Sequence, residues 1–495
     1  MLDLKKVRNE TWMLIAIFSL VFLVRLVFTL QMPAFSDDSS FIIQRYTEHI
    51  SQEGIPLIQD PLSYGGRSVL YSPFLNYLLW ILDFFLPSFV VFKILPQLFI
   101  SSLVILVYFI AKEVNTNETL ALLAALLSGF IPIIFVKTLN SISVYSLMIP
   151  LLFYLIYIMI RLERDNRLIL HFVIGSFILA ALHPSSFLLP IALIFYFMFM
   201  VSESFSIKTV KKEIMFFLIF LVLLLQFLLY KQAFLQHGWG IIWGNVPMDV
   251  VSSYFEEISI LNMFYTIGVL PILFGFIGIV LGFYRKKENI FLLSGVIMST
   301  LLLLWLRFLE PDIGLMFLGV ALTVVSINGL DFFYNYLLKT KIKNVDRFFS
   351  IILIGGILIF SIVPSFVASY NVVQDSPDNN DLEAMQWIRD NTPEDAVVLG
   401  DVDEGGFISQ YGKRKNVMDT NFLLAPEASQ RFNDLSIILS TKSEAKALEL
   451  MKKYNIKYVY ISDKTIKKYG ELVYINDENC FKRMHKQPAV YKILC

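Results

Sequence analysis

The sequence predicts a polytopic α-helical membrane protein with about eleven transmembrane helices, followed by a C-terminal α/β domain. Of its 495 residues, 56% are hydrophobic and 17% are charged, and the mean hydropathy is +0.65. A soluble domain has roughly 25% charged residues, so this deficit indicates a membrane protein. The formal net charge is zero, and we therefore do not expect nucleic acid as a partner.

Twelve apolar runs are candidate membrane spans, because a helix needs about 20 apolar residues to cross a bilayer. The first run follows a basic start and has no small-residue cleavage site. It is therefore predicted to be a retained anchor rather than a signal peptide. The runs are 12–31, 70–86, 89–111, 119–136, 142–161, 169–183, 185–201, 213–232, 263–284, 289–306, 313–333 and 348–369.

Basic residues between the runs predict the orientation, because short cytoplasmic loops collect Lys and Arg. All the basic clusters fall on one side of the membrane only if one early run does not cross. The run 70–86 is the shortest of the early runs and contains Asp83, so we predict that it lies on the outer surface. Eleven crossings then put the N-terminus in the cytoplasm and the C-terminus outside it. Twelve true spans are the alternative, with two basic loops on the wrong side.

The predicted division is a transmembrane domain at 1–370, with a first outer loop at 32–88, and an extracytoplasmic α/β domain at 371–495, in a protein of the cell membrane. In the second region strands alternate with helices, which predicts parallel pairing. Cys480 and Cys495 both lie there and could form a disulfide in an oxidising compartment. The predicted elements are helices 381–389 and 442–454, and strands 396–400, 415–419, 457–462 and 489–494.

An Asp-Asp pair, Asp37 and Asp38, follows the first apolar run. Carboxylates at a membrane–water boundary indicate either a solvated loop or a functional site. Apolar residues recur at helical spacing from Phe41 to Ile50, so we predict a helix that Ser36 caps. On local evidence the two acids could simply complement the dipole of that helix.

Other polar residues in this region favour a functional site. Arg25 lies in the first apolar run near its outer end, where a charge normally faces a polar cavity or a partner. Farther along, Asp60 precedes a turn from Tyr64 to Arg67 that contains two glycines. These side chains suit a site for sugar and phosphate, in which Tyr64 would be auxiliary or acceptor-binding and Arg67 would bind phosphate oxygens.

The order of these residues resembles the GT-C glycosyltransferase superfamily. That superfamily includes protein O-mannosyltransferases, lipid A aminoarabinose transferases and the catalytic subunit of oligosaccharyltransferase. The resemblance covers about the first 200 residues well and the rest loosely. Its elements are, in chain order, Arg25, Asp37, Asp38, Gly54, Asp60, Gly65, Gly66 and Pro73.

The resemblance implies an integral-membrane glycosyltransferase of GT-C type. Its donor would be a sugar on polyprenyl or dolichyl phosphate, bound among membrane lipids. Its acceptor would be a protein, lipid or glycan outside the cytoplasm. Asp37 would be catalytic, as a base or an acceptor-orienting group. Asp38 would assist it, and the two could bind a divalent cation, Mg²⁺ or Mn²⁺.

Metal binding stays open in the sequence. Metal-dependent members of the superfamily have a second acidic motif after the third span, whereas the matching segment here, 137–141, contains no acid. Hard cations need several oxygen ligands. Asn140 could supply one oxygen, or it could be an ordinary turn residue.

Further polar residues near the predicted outer face could join the site. His183 could bind phosphate or carry a proton, or it could cap a helix end. Arg307 runs against the positive-inside pattern, which favours phosphate binding, and an ion pair with Glu310 is the alternative. Glu256 and Glu257 lie in a long later loop and could gate the donor or act as late acidic partners.

The outer region resembles oligosaccharyltransferase catalytic subunits over 383–393. Those proteins have a Trp-Trp-Asp-Tyr-Gly motif after their first outer strand, which recognises the acceptor hydroxyl of a glycosylation sequon. The matching segment, 400–406, contains no tryptophan, so sequon recognition is not predicted. Its acids, Asp401, Asp403 and Glu404, could face the site or form a solvated turn.

Two other functions are alternatives. A transporter or flippase would be expected to show internal repeats and interrupted helices, whereas we find no repeat and the polar residues cluster at the outer face. A non-catalytic GT-C homologue would fit the missing second acidic motif and the missing tryptophans.

Overall fold

Apolar helices make up the first three quarters of the chain. The computed structural model describes residues 4–256, 259–340 and 344–495. The α-helices up to residue 375 are Leu4–Gln31, Asp38–Glu53, Phe74–Phe85, Leu95–Ser101, Leu103–Val114, Glu118–Gly129, Pro132–Thr138, Tyr145–Arg161, Leu168–Leu182, Leu188–Ser202, Thr209–His237, Met248–Glu256, Ile260–Ile267, Val269–Tyr284, Glu288–Trp305, Pro311–Leu337, Val345–Ile357 and Val363–Asp375.

Seven helical stretches among the described residues are long and apolar enough to cross a membrane. Two pairs of apolar helices, each bent at a short break, raise that number to nine if each pair is one span. Tyr145–Arg161 and Leu168–Leu182 are apolar but shorter, with 17 and 15 residues. Counting these two as spans gives the predicted eleven. The polytopic helical fold is therefore confirmed, while the orientation of the crossings stays a prediction.

The core of the membrane part surrounds one helix. Within Pro311–Leu337, 94% of the most apolar 18-residue window is buried. Helices Val269–Tyr284 and Glu288–Trp305 pack against it. A helix that is apolar on all sides is excluded from water, either by lipid or, as for this helix, by neighbouring helices.

The helix Asp38–Glu53 opens the first outer loop. It begins one residue later than predicted, and its N-cap is Asp37 rather than Ser36. The hydroxyl of Ser36 donates instead to the carbonyl oxygen of Leu139 at 2.7 Å, which ties the loop to a turn of the helical part. Gly54, with a φ of 76°, ends the helix, as expected for a left-handed C-cap.

The helix Phe74–Phe85 closes the same loop. Its 12 residues span about 18 Å, which is too short to cross a bilayer. The aromatic rings at its end, Phe84 and Phe85, are 83% and 74% exposed. This length and this exposed end suit the predicted position on the membrane surface.

Seven short strands form a hairpin in the first outer loop and a sheet in the C-terminal part. They are β1 Gln59–Asp60, β2 Arg67–Ser68, β3 Val397–Leu399, β4 Lys415–Asn416, β5 Ile456–Ile461, β6 Phe481–His485 and β7 Ala489–Ile493. The α-helices of the C-terminal part are Asn379–Asn391, Gly405–Phe407, Ala428–Ser440, Glu444–Lys453 and Asp463–Tyr469.

The C-terminal sheet has five strands in the order β4-β3-β5-β7-β6. Strand β3 pairs parallel with β4 and β5, whereas β7 pairs antiparallel with β5 and β6. The predicted parallel pairing is therefore right for three strands and wrong for the last hairpin. Cys480 and Cys495 form a disulfide beside that hairpin.

Backbone hydrogen bonds join the first outer loop to the C-terminal sheet. Asn416, in β4, donates to the carbonyl oxygen of Leu62 at 3.0 Å and accepts from the amide of Tyr64 at 2.9 Å. The helix Val363–Asp375 runs through the predicted domain boundary, and the division into two domains stays a prediction. The loop that contains Asp37 thus lies directly against the C-terminal sheet.

Candidate active site

Two cavities adjoin the C-terminal part, and the first outer loop lines one of them. The first, which we call the acidic cleft, has a volume of about 130 Å³. Eight acidic side chains line it, including Asp37, Asp38 and Asp403, against two lysines, Lys464 and Lys467. The cleft therefore has a strongly negative wall.

The second cavity, which we call the apolar groove, has a volume of about 730 Å³. Its walls come mainly from the helix Thr209–His237 and from the segments 239–246 and 307–310. Polar side chains gather among these walls: Tyr145, His183, Arg307 and Glu310. A groove of this size and composition suits a long apolar ligand with a polar group.

Two residues link the cavities. Thr420 lines the apolar groove and donates its hydroxyl to Asp38 of the acidic cleft at 3.0 Å. Lys137 lies close enough to Glu310 of the groove and to Asp37 of the cleft to interact with both charges. Asp38 therefore contacts a groove residue directly, and the charge of Asp37 acts on the same lysine as the charge of Glu310 in the groove.

The carboxylate of Asp37 accepts hydrogen bonds from neighbouring residues but stays partly exposed in the cleft. It is half-buried, and the hydroxyls of Ser39 and Ser40 donate to its two oxygens. Ser40 is itself fixed, because its hydroxyl oxygen accepts from the amide of Ile142 at 2.8 Å. Each carboxylate oxygen has a second lone pair, so Asp37 can still accept a proton or a hydrogen bond from a molecule in the cleft.

Asp38 has the opposite environment. It is 5% exposed, and one oxygen accepts from the amides of Gly406 and Phe407 at 2.6 and 3.2 Å. The other accepts from the amide and hydroxyl of Thr420 at 3.3 and 3.0 Å. A side chain at Gly406 would put its Cβ 2.7 Å from Asp38, so glycine is needed for this close approach. Asp38 therefore fastens the first loop to the C-terminal part.

Burial and the nearby charge of Asp419 raise the pKa of Asp38 to about 8, against hydrogen bonds from Thr420 that lower it. Because the folded-state pKa is raised, the native state binds the extra proton. The stability contributed by this group therefore falls as the pH rises from about 4 to 8.

We expect Asp38→Asn to lower the free energy of unfolding by about 1–3 kcal/mol near pH 6, because the new amide N–H groups face backbone donors. The deficit should shrink toward pH 9, where only the wild-type side chain becomes charged. Thermal denaturation of both proteins across this pH range measures it. A deficit that grows with pH would contradict the raised pKa.

Arg67, predicted to bind phosphate, has other partners in the structure. Its guanidinium makes two parallel bonds to Asp419, at 2.8 and 2.7 Å, and donates to the carbonyl oxygen of Asn421 at 2.6 Å. Asp60 lies 3.3 Å from the same guanidinium and also pairs with Arg45. All four charged side chains are buried. The phosphate-binding role stays a prediction, and the observed contacts are structural.

Arg25 is likewise enclosed in the helical part. It is 1% exposed, donates to Gln97 at 3.0 Å and to Thr138 at 2.6 Å, and lies over the ring of Phe135. Through Thr138, Arg25 holds the segment that contains Lys137 and Asn140 in place. Arg25 lines neither the acidic cleft nor the apolar groove. Its predicted contact with phosphate stays a prediction.

Tyr64 and Asn140 also hold the loop in place. The hydroxyl of Tyr64 donates to the carbonyl oxygen of Lys453 at 3.1 Å. The amide of Asn140 donates to Ala34 at 2.6 Å, and the φ of Asn140 is 49°. Asn140 is thus a left-handed turn residue, as the alternative interpretation had it, and its side chain points to the start of the first loop.

His183 and Arg307 do line the apolar groove. The Nδ1 atom of His183 accepts from the amide of Ser185 at 3.2 Å, so this residue also caps a helical turn. Arg307 donates to the hydroxyl of Ser252 at 3.4 Å and is exposed. The side chain of Glu256 and the whole of Glu257 lie outside the described residues.

The acidic segment after β3 contains two residues that line the acidic cleft and one that forms an ion pair away from it. Asp403 and Glu404 line the acidic cleft. Burial raises the pKa of Glu404 to about 7, although a hydrogen bond from Ser462 lowers it. Asp401 turns away and pairs with Lys468 at 2.7 Å. A solvated turn does not describe this segment, because Asp401 and Glu404 are both buried.

Beside Asp37, Asp38 offers a divalent cation no free position, because protein donors occupy both of its oxygens. The Nδ2 atom of Asn140 donates to Ala34, whereas its Oδ1 atom is buried without a hydrogen-bond partner. Asp37 and Asn140 alone are too few oxygen ligands for Mg²⁺ or Mn²⁺. Elsewhere in the described residues, one group of three potential ligands lies together, Glu444, Asp477 and Cys480. The sulfur of Cys480 is in a disulfide and cannot act as a thiolate ligand.

Solved structures share the fold of this chain, although sequence comparisons find no match. No protein-family model matches the chain, and no curated protein sequence matches it. The Archaeoglobus fulgidus oligosaccharyltransferase in complex with Zn and sulfate matches with a TM-score of 0.62 and 15% identity, over 93% of this chain and 71% of that one. The same archaeal protein with an inhibitory peptide and a dolichol-phosphate gives 0.60 and 14%, over 92% and 71%.

ArnT from Cupriavidus metallidurans, in the apo state, matches with a TM-score of 0.51 and 9% identity, over 98% of both chains. These structures are GT-C membrane proteins. At such identities the likeness shows the fold, and the predicted GT-C fold is therefore confirmed.

Proposed function

We propose that the chain is an integral-membrane glycosyltransferase. It moves a sugar from a polyprenyl- or dolichyl-phosphate carrier to an acceptor outside the cytoplasm. Residues 1–370 form the membrane domain and hold the carrier, and residues 371–495 form an extracytoplasmic domain that completes the acceptor site.

The observation that carries this proposal is a large apolar groove connected, through the bond from Thr420 to Asp38, to an acidic cleft that contains Asp37. The apolar groove continues onto the outside of the helices, where Leu223, Phe227 and Trp239 are 52%, 61% and 74% exposed. A polyprenyl chain can therefore enter from the bilayer and place its phosphate among the polar side chains of the groove. An acceptor in the acidic cleft would then lie on the other side of Asp37.

The fold supports the same assignment. One of the solved structures of this fold contains a dolichol-phosphate, which is a lipid carrier of the class proposed here. The apolar groove of this chain offers space for such a molecule, with His183 and Arg307 as its predicted phosphate ligands.

The geometry supports direct displacement at the anomeric carbon. A nucleophilic group of the acceptor loses its proton to the Asp37 carboxylate while it bonds to that carbon. The bond from the carbon to the phosphate oxygen breaks, and the carrier leaves as polyprenyl phosphate. The positive charge of Arg307 in the groove stabilises the negative charge that develops on the phosphate.

The acidic cleft restricts the class of acceptor. Burial raises the pKa of Asp38 and of Glu404. The other six acidic side chains of the cleft still outnumber its two lysines and repel an anionic molecule, so the acceptor is neutral or cationic at the group that enters the cleft. Peptide, lipid and glycan acceptors of this kind all fit. A segment without tryptophans at 400–406 does not favour a glycosylation sequon.

The test is carrier release by the purified protein in lipid nanodiscs. We expect polyprenyl phosphate to appear with at least one donor from a panel of polyprenyl-phosphate sugars, together with a glycosylated acceptor in mass spectrometry. Sugar flux across vesicles without a covalent product would instead support a transporter. A folded protein that consumes no donor from a broad panel would support a non-catalytic homologue.

A further inference from the structure

We propose that this chain needs no divalent cation for transfer, because the ammonium group of Lys137 supplies positive charge beside Asp37. The proposal rests on the proposed function. The sequence predicted that Asp37 and Asp38 could bind Mg²⁺ or Mn²⁺, and the proposal differs from that prediction. It makes Lys137 a phosphate-binding residue.

The position of Lys137 is the first argument. It lies in the helix Pro132–Thr138, at the start of the segment where metal-dependent relatives have their second acidic motif. Its Nζ atom pairs with Asp312 at 2.6 Å, and the charges of Glu310 and Asp37 act on it as well. A lysine ammonium thus pairs with one carboxylate and carries positive charge in the region where metal-dependent relatives have their second acidic motif.

Accessibility is the second argument. The side chains of Lys137 and Asp312 are 43% and 42% exposed, so this ion pair is not sealed in the core. Exposed pairs of this kind contribute little to stability, and the ammonium can change partners when a phosphate arrives. Lysine is a common ligand of phosphate, to which it offers three donors and a compact charge.

The buried arginines of this region are the third argument, because other protein groups already hold their guanidinium groups in place. Arg25 is enclosed among helices and donates to Gln97 and Thr138. Arg45 and Arg67 pair with buried carboxylates. Lys137 differs from these three arginines in being exposed, so a phosphate can reach its ammonium group.

The ligands that a metal would need are the fourth argument. Mg²⁺ and Mn²⁺ require about six oxygen ligands in regular geometry. Of the two acids predicted to bind metal, Asp38 has all its near hydrogen-bonding positions filled by Gly406, Phe407 and Thr420. Asp37 and the Oδ1 atom of Asn140 remain, which are too few ligands for such a cation, and the positive charge of Lys137 already acts on Asp37.

Chemically, Lys137 keeps its proton throughout the reaction. The acceptor proton goes to Asp37, and the electron pair of the breaking bond stays on the carrier phosphate. Lys137 then donates hydrogen bonds to the phosphate oxygens. No co-reactant is needed.

The first arm of the test measures metal binding without any substrate. Manganese is titrated into the purified full-length protein, and free Mn²⁺ is followed by electron paramagnetic resonance. We expect no stoichiometric uptake by the wild type. Lys137→Asp, which restores an acid at this position, should bind Mn²⁺, and Asp37→Asn in that background should remove the binding. Stoichiometric uptake by the wild type that depends on Asp37 would overturn the proposal.

The second arm measures carrier release. The wild type should be equally active in EDTA and in added Mg²⁺ or Mn²⁺. Lys137→Met should lower kcat/KM about 100-fold, and Lys137→Arg should restore part of it. Lys286→Met is the matched control, because Lys286 pairs with Glu203 at 2.8 Å on the surface. It should leave release unchanged.

The two arms separate this proposal from the proposed function. Loss of release in EDTA, or full release by Lys137→Met, would refute the role of Lys137 while the glycosyltransferase assignment stands. If no donor is consumed at all, the glycosyltransferase assignment fails, and the manganese titration still decides whether this site binds a metal.

Discussion

Asp37→Asn is expected to reduce carrier release about 10²–10⁴-fold, the range in which a general base contributes to catalysis. The reason is chemical, because an amide cannot accept the acceptor's proton. The fold should survive, since Asp37 is half-buried at a helix N-cap and Asn caps a helix as well as Asp does. The measurement is release of polyprenyl phosphate in nanodiscs, alongside the thermal denaturation midpoint.

Asp390→Asn is the matched control for this prediction. Asp390 is also a surface carboxylate of a helix, paired with Arg389, and it lies outside both cavities. It should keep full release. If Asp37→Asn also kept full release with an unchanged denaturation midpoint, Asp37 could not be the base, and another acid of the cleft would have to be tested.

Arg67→Met is expected to lower the free energy of unfolding by about 3–5 kcal/mol, as is usual when one partner of a buried ion pair is removed. The variant leaves Asp419, 1% exposed, without its bidentate partner. Thermal denaturation of the purified protein measures the loss. Arg389→Met, which breaks an exposed pair with Asp390, should change stability by less than about 1 kcal/mol.

The pH dependence of this deficit identifies its cause. Burial disfavours the charged form of Asp419, yet the charge and hydrogen bonds of Arg67 outweigh it and lower the pKa of that carboxyl. In the wild type, its stabilising contribution is present above the ordinary pKa of Asp and is lost as the pH falls. Without Arg67 the carboxyl protonates readily, so the deficit of the variant should shrink below about pH 5.

A double variant separates charge from packing. Arg67→Met with Asp419→Asn removes both charges, so it should recover part of the lost stability. A double variant as unstable as the sum of the two single variants would show that the pair contributes through packing rather than through its matched charge.

The helical fold was predictable because its signals are local. The free energy of transfer from water to lipid depends on the residues of one segment. Apolar runs and basic loops therefore locate the membrane spans even when the helices that pack against them are unknown. The helix Asp38–Glu53 was likewise predictable from spacing and from Gly54 as its end. The last hairpin was mistaken for parallel pairing, because strand direction depends on which strands meet.

The site was predictable only in part. Asp37 and Asp38 look equivalent in the sequence, and only their surroundings distinguish a carboxylate facing a cleft from one that accepts four protein hydrogen bonds. Arg67 resembled a phosphate ligand because its partner Asp419 is 352 residues away. Lys137 had one usable signal, a basic residue in a segment where an acid was expected.

The bonds from Asp38 to Thr420 and from Arg67 to Asp419 have a consequence for the order of events during synthesis. At about 5–20 residues per second, the 352 residues between Arg67 and Asp419 take about 20–70 s to make. Until then Asp38 and Arg67 lack these C-terminal partners. In a ribosome-bound chain, Asp37 is therefore present before the C-terminal residues that complete the acidic cleft. The protein would gain activity only when its last quarter has emerged and folded.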